Sequence, residues 1–286
     1  MPQQIPGVNV LRYFSRHYLG LIWTDFLRLG QGNSNGQVSF LICGAQKSGT
    51  TALDTYLREH PDICMAKYKE VHFFDREKYF LHPAVNYRHY HSFFNPEYST
   101  QIQGETTPSY MYWYAAPRRI WEYNPDMKLV IILRNPIERA FSHWNMQRER
   151  GVEKLKFMDA LSAEENRRYA SRPLQNKRFS YLDRGFYSEQ IRRLRAFFPA
   201  NQVLILRNQT LRHSPETVLK KIAEYLNINP FPKIKFSTIH TRSYVSQMTE
   251  KEWNFLFDHL QMEIKEVEKL TGWNCQDWCN FSPETN

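Results

Sequence analysis

Three short runs of the chain are apolar at nearly every position: Val38-Ser39-Phe40-Leu41-Ile42-Cys43, Lys128-Leu129-Val130-Ile131-Ile132-Leu133 and Val203-Leu204-Ile205-Leu206. Runs of this length without polar alternation suit strands buried on both faces. A helical pattern follows each of them. After the first comes a glycine-containing turn and a helix over 51–60, stopped by Pro61. After the second, Arg134-Asn135 turns the chain and Pro136 opens a helix that runs to about 150, at a position where its missing N–H costs nothing. The third strand is preceded by a helix that keeps Tyr187, Ile191, Leu194 and Phe198 on one face. It is followed by Ser214 as N-cap and Pro215 at the first helical position. A last long helix starts at Thr249, with Glu252 three residues on as a capping box. Trp253, Leu256, Phe257, Leu260, Ile264, Val267 and Leu270 give it one apolar face, and Gly272 ends it. Buried strands alternating with helices predict an α/β fold: a P-loop-like parallel sheet with helices on both faces. Its ligands are expected at the C-terminal ends of the strands.

Residues 30–37 are polar and rich in Gly and Asn, so they divide the chain into an N-terminal segment and linker over 1–36 and one domain over 37–286. The apolar stretch 18–24 is far shorter than the ~20 residues that span a bilayer. An aromatic amphipathic helix over 9–29 is able to touch a membrane surface or to pack on its own domain. With no secretory signal, a soluble, cytoplasmic protein is expected. Lys and Arg number 38 against 29 acidic residues, a formal charge of +9 that suits an anionic partner without choosing one. No nucleic-acid-binding pattern is present, and none is expected as a partner. The densest basic stretch, 192–195, reads as a solvated helix face. Cys43 and Cys64 read as buried small hydrophobes. Cys275 and Cys279 lack the further ligands a zinc site needs, and no metal is expected.

The stretch with most chemical content is Gly44-Ala45-Gln46-Lys47-Ser48-Gly49-Thr50-Thr51. Backbone N–H groups of a glycine loop that runs into a helix N-terminus make an anion site. The nucleoside triphosphate loop has the pattern G-x-x-x-x-G-K-[ST]. Here Thr50 stands where its lysine should be, and the lysine falls three positions earlier, as Lys47. Such a loop is poorly equipped for a triphosphate–metal complex but suits one phosphate at the 5′ end of a nucleotide. Lys47 is then placed to neutralise the oxygen that bridges that phosphate to a leaving group.

Lys47-Ser48-Gly49-Thr50-Thr51 resembles the 5′-phosphosulfate loop of sulfotransferases that use 3′-phosphoadenosine 5′-phosphosulfate (PAPS). Glu70-Val71-His72-Phe73-Phe74-Asp75 extends the likeness toward the heparan sulfate and carbohydrate branch, and the resemblance covers roughly residues 38–245. It implies a second anion site for the 3′-phosphate, with Arg134 and Ser142 matching the family's pair; an arginine fork suits phosphate. It implies a cofactor-closing loop at Arg242-Ser243-Tyr244, although Arg and Ser replace the Lys and Gly often found there. Arg184-Gly185-Phe186-Tyr187 matches another recurrent segment and is expected to serve packing.

The same resemblance gives Lys47 the role of stabilising the leaving phosphate. Glu70 is the implied general base, with His72 as a competing base or acceptor contact. In an extended segment the two would share a face. Glu105, in Gly104-Glu105-Thr106-Thr107-Pro108-Ser109-Tyr110, reads equally as a secondary acid or a structural one. Thr106 stands where glycosaminoglycan enzymes often carry a lysine, which weakens the case for a polyanionic acceptor. The expected reaction is metal-free sulfuryl transfer from PAPS to a hydroxyl or amine of a glycan or other hydroxylated molecule. Two other classes compete with it. A P-loop small-molecule kinase would need ATP and Mg²⁺, and a non-catalytic anionic-glycan-binding module would leave Lys47, Glu70, Arg134 and Ser142 without a role.

Overall fold

A computed structural model describes residues 37–82, 84–94, 101–234 and 244–281. The proposed amphipathic helix over 9–29, and Arg242 and Ser243, lie outside the described residues.

Five parallel strands form one sheet in the order β2-β3-β1-β4-β5. They are β1 (Phe40–Gly44), β2 (Ile63–Met65), β3 (Ile102–Thr106), β4 (Lys128–Leu133) and β5 (Val203–Arg207). The apolar runs predicted three of these. Two were not predicted: β2 has three residues, and β3 carries Gln103, Gly104 and Glu105, which hide its apolar character.

Strand alternation sorts side chains into two cores. Leu41, Cys43, Leu129, Ile131 and Leu133 face one way, against Tyr110, Ile120, Ile191 and Ile264. Phe40, Ile42, Val130 and Ile132 face the other, against Leu53, Leu57, Val218 and Ile222. The helices that cover these faces are α1 (Thr50–Arg58), α2 (Tyr87–His91), α3 (Ala116–Tyr123), α4 (Pro136–Glu149), α5 (Phe157–Ala170), α6 (Tyr187–Arg195), α7 (Asn208–His213), α8 (Pro215–Leu226) and α9 (Glu250–Thr271). A third cluster joins α4, α5 and α9 through Phe141, Trp144, Phe157, Trp253 and Leu260.

The capping box at Thr249 and Glu252 is present, and Gly272 ends α9 in the left-handed conformation at φ 72°. Ser214 sits at the N-cap of α8 as expected, but its side chain makes no capping hydrogen bond. The basic stretch 192–195 is not one solvated face. Arg193 turns inward, donates to the Met111 and Tyr112 carbonyls, and lies over the Tyr114 ring. Cys43 and Cys64 are buried, and all four cysteines are free thiols. Among the described residues no helix is long and apolar enough to cross a membrane.

The strand order places β1 and β4 side by side. The chain leaves β1 toward β2 on one side and leaves β4 toward β5 on the other. The ends of β1 and β4 therefore flank the crevice where open parallel sheets bind ligands.

Candidate active site

The loop after β1 holds Lys47, Ser48 and Gly49 over the N-terminus of α1. Gly49 has φ 97°, which L side chains rarely adopt, and a Cβ there would sit 2.8 Å from Asn208 Nδ2. The Asn208 amide, from the start of α7, donates to the Ser48 carbonyl at 2.8 Å and ties the loop to the end of β5. Lys47 is also left-handed, at φ 69°. Thr50 and Thr51 open α1, whose first N–H groups point into the loop.

Arg134 directly follows β4, and its Nε donates to Glu138 at 2.9 Å. Ser142 is buried on the following helix. Tyr244 lies beside Arg134, with its ring edge-on to Phe141 at 5.6 Å. The two strand ends are linked by a residue that sequence reasoning assigned to packing. The Tyr187 hydroxyl donates to the Arg134 carbonyl at 3.0 Å and lies beside Ser48. Arg134, Asn135, Asn208, Arg212 and Trp278 help line a cavity of about 350 Å³ between the ends of β4 and β5. A turn over Gln276–Trp278 closes it: Arg207 donates to the Asn274 carbonyl and to Asp277, and Asn135 Nδ2 donates to the Trp278 carbonyl at 3.3 Å.

Beneath Lys47 lies a group of buried cations. Arg139 is fully buried and gives one N–H to the Tyr181 carbonyl, while its Nε and Nη1 have no protein partner. Arg184 bonds Ser180 Oγ and the Lys177 carbonyl and lies over the Tyr112 ring. Burial, with the charges of Arg184, Arg139 and Lys47, drives the His143 imidazole well below the ordinary histidine value, so it is neutral.

Residues 70–75 run beside the end of β3. The expectation that Glu70 and His72 share the face of an extended segment is corrected. Both are left-handed, with φ of 64° and 55°. Their side chains still meet, with His72 Nε2 at 3.5 Å from Glu70 Oε2. Such backbone costs about 1–3 kcal/mol per residue and persists only where surrounding contacts over-determine it. Those contacts come from 104–110. The Glu70 amide donates to the Thr106 carbonyl at 2.8 Å, the His72 amide to Thr107 Oγ1 at 3.4 Å, and the Phe73 amide to the Tyr110 hydroxyl at 2.9 Å.

His72 is the middle of a row of alternating charges. Its Nδ1 lies 2.9 Å from Asp75 Oδ2, which also accepts from Ser109 Oγ at 2.5 Å and pairs with Lys177 at 3.2 Å. Glu70 pairs with Lys69 at 2.7 Å. Burial opposes the charge on His72, but the hydrogen bonds to Asp75 and Glu70 prevail and raise it to about 9. Burial likewise pushes Glu70 up, and His72 and Lys69 outweigh it and bring it to about 2. Asp75, Ser109 and Lys177 were missed as site residues. Asp75 stood in the quoted motif, three residues past His72, but nothing in the sequence points to Lys177. It reaches the site across 102 residues, where it also lies 4.3 Å from the Trp113 ring and lines a cleft of about 570 Å³ with Asp75, Trp113 and Gln175.

A model of the sulfotransferase domain matches residues 37–281. The mouse bifunctional heparan sulfate N-deacetylase/N-sulfotransferase 3 is 33% identical over 201 residues, which is 67% of this chain and 22% of that protein. The human bifunctional heparan sulfate N-deacetylase/N-sulfotransferase 2 is 32% identical over 202 residues, with the same coverage of 67% and 22%. The chain thus spans about a fifth of the length of these curated relatives. The crystal structure of a sulfotransferase from Alicyclobacillus acidocaldarius superposes with a TM-score of 0.72 at 25% identity, covering 85% of this chain and 99% of that one. Agreement of family model, relatives and fold over one span means that this chain belongs to the sulfotransferase domain family and is a sulfotransferase.

Proposed function

We propose that the enzyme takes its sulfuryl group from PAPS and places it on a hydroxyl or amine of a glycan or other hydroxylated acceptor. The observation that carries this reading is the pair of anion-suited strand ends, one at Lys47–Thr51 and one at Arg134 and Ser142, joined through Tyr187. The fit to a nucleotide phosphorylated on both sides of its ribose is supported by particular atoms. Ser48 Oγ is buried without a hydrogen-bond partner, and Gly49 keeps a left-handed turn no other residue would hold at so little cost. Bound PAPS supplies a sulfuryl group on a phosphate leaving group, and the sulfur bonds the acceptor as its S–O bond to that phosphate breaks.

The chain's own residues do the rest. Lys47 and the first amides of α1 hold the 5′ end and stabilise charge that gathers on the leaving oxygen. Arg134, Ser142 and Tyr244 hold the 3′-phosphate. Glu70, ionised and partly exposed, takes the acceptor's proton. His72, kept protonated by Asp75, steadies Glu70 and orients the acceptor. Lys177 supplies, from another part of the chain, a cation beside the acceptor cleft.

Titration calorimetry tests the donor. Arg134→Ala is expected to weaken adenosine 3′,5′-bisphosphate by roughly 10–100-fold, the scale of a lost charged hydrogen bond, and AMP far less. Equal losses remove the 3′-phosphate assignment, and tight ATP·Mg²⁺ binding in place of the bisphosphate removes the reading. In transfer assays with labelled PAPS, Lys47→Ala and Glu70→Gln should each lower kcat by about 10²-fold or more. Near-normal turnover in either variant would withdraw that residue's role.

A further inference from the structure

Glu105 is fully buried on β3, where it pairs with Leu41 of β1. Neither carboxyl oxygen has a hydrogen bond of good geometry. The titratable groups around it come from four places: Tyr90 on α2, Tyr123 on α3, Tyr110 in the turn after β3, and Asp75 and His72 in the 70–75 loop. The two charges among them are opposite in sign, so neither pays back the burial of a third. Burial raises the carboxyl to about 8, and Glu105 is a neutral acid at pH 7.

We propose that Glu105 is a positioning residue for the transfer site, acting through Tyr110 on the backbone of residues 70–75. The proposal rests on the reading of Glu70 as the base. The Tyr110 hydroxyl accepts from two amides of that loop, Phe73 at 2.9 Å and Phe74 at 3.4 Å. Both acceptor directions are then in use, and its own proton must turn elsewhere. Glu105 is the buried acceptor on that side. In the neutral form it offers a carbonyl oxygen to the phenol without placing a charge in the core.

The consequence reaches Glu70 and His72 because their left-handed backbone is imposed from outside. Four amides of the loop are held from outside, by the Thr106 carbonyl on Glu70, Thr107 Oγ1 on His72, and Tyr110 on Phe73 and Phe74, while Arg119 and Lys177 donate to the Phe74 and Asp75 carbonyls. Two of the four depend on Tyr110. Loosening them leaves the phosphate loop and Arg134 untouched, since those belong to β1 and β4. A turnover defect without a donor-binding defect is therefore the signature.

Two measurements on the full chain test this. In steady-state assays Tyr110→Phe and Glu105→Ala should lower kcat at least ten-fold, with adenosine 3′,5′-bisphosphate affinity changed less than two-fold. Glu105→Gln, which keeps a neutral acceptor, should stay within about three-fold of wild type. Parallel loss of kcat and nucleotide affinity, or unchanged kcat in Tyr110→Phe, overturns the proposal. The second measurement needs no turnover. Between pH 5 and 8 an unfolded Glu ionises freely while folded Glu105 stays protonated, so wild type loses stability relative to Glu105→Gln as pH rises. The melting temperature of Glu105→Gln should gain on that of wild type across that range, and a difference independent of pH rejects the neutral acid. Wild type that transfers no sulfuryl group from PAPS would instead refute the donor reading while leaving the melting result to stand.

Discussion

His72 lies between two carboxylates, so its imidazolium form is favoured in the folded chain. Its folded value of about 9 exceeds the ordinary 6.5. The stability it contributes is complete below 6.5 and is lost as pH rises through about 9. Glu70 runs the other way, from an ordinary 4.5 down to about 2, so its contribution is present above 4.5 and is lost as pH falls through about 2. Its side chain is 37% exposed, and solvent screening makes that contribution small. Thermal melts of His72→Gln should therefore lack most of the decline that wild type shows between pH 6.5 and 9. A decline of equal size in both would mean that His72 is not the group responsible. The motif residues Lys47, Glu70 and His72 were legible because residue type and spacing carry their chemistry. Asp75 was legible only as part of a motif, and Lys177 and Tyr187 as site residues were not, because tertiary contact alone gives them their place.

Three of the five strands and the long helices could be read from periodicity, since burial on both faces leaves unbroken apolar runs. The strand β3 could not, because Gln103, Gly104 and Glu105 break its apolar run: Gly104 makes room for the Phe40 ring, and a Cβ there would come within 2.1 Å of it. Helix ends give a sharper comparison. Thr249 and Ser214 are both N-cap residues by sequence, yet only Thr249 accepts from an N3 amide and receives Glu252 in return. Thr249→Ala should cost about 1 kcal/mol in chemical denaturation. Ser214→Ala should stay within about 0.5 kcal/mol of wild type, as a side chain without a capping bond has little to lose. Similar losses at both sites would show that hydrogen bonding is not what separates them.

At the scale of the molecule, the cavity beside Arg134 is walled by parts of the chain far apart in sequence. Asn135 reaches Trp278 across 143 residues and Asn208 reaches Ser48 across 160. Truncation after Gly272 should keep the far-ultraviolet circular dichroism of the sheet and helices but weaken adenosine 3′,5′-bisphosphate in calorimetry. Unchanged affinity would show that the turn over Gln276–Trp278 is no wall of the donor site. That turn also bears on the order of synthesis. A ribosome finishes β1 and its phosphate loop well before residues 273–278, so on the proposed donor reading a nascent chain that holds all five strands but lacks that turn is still blind to the nucleotide. On that reading donor binding rewards only a fold that includes the turn, and a ligand that binds the folded state alone draws late folding intermediates toward it.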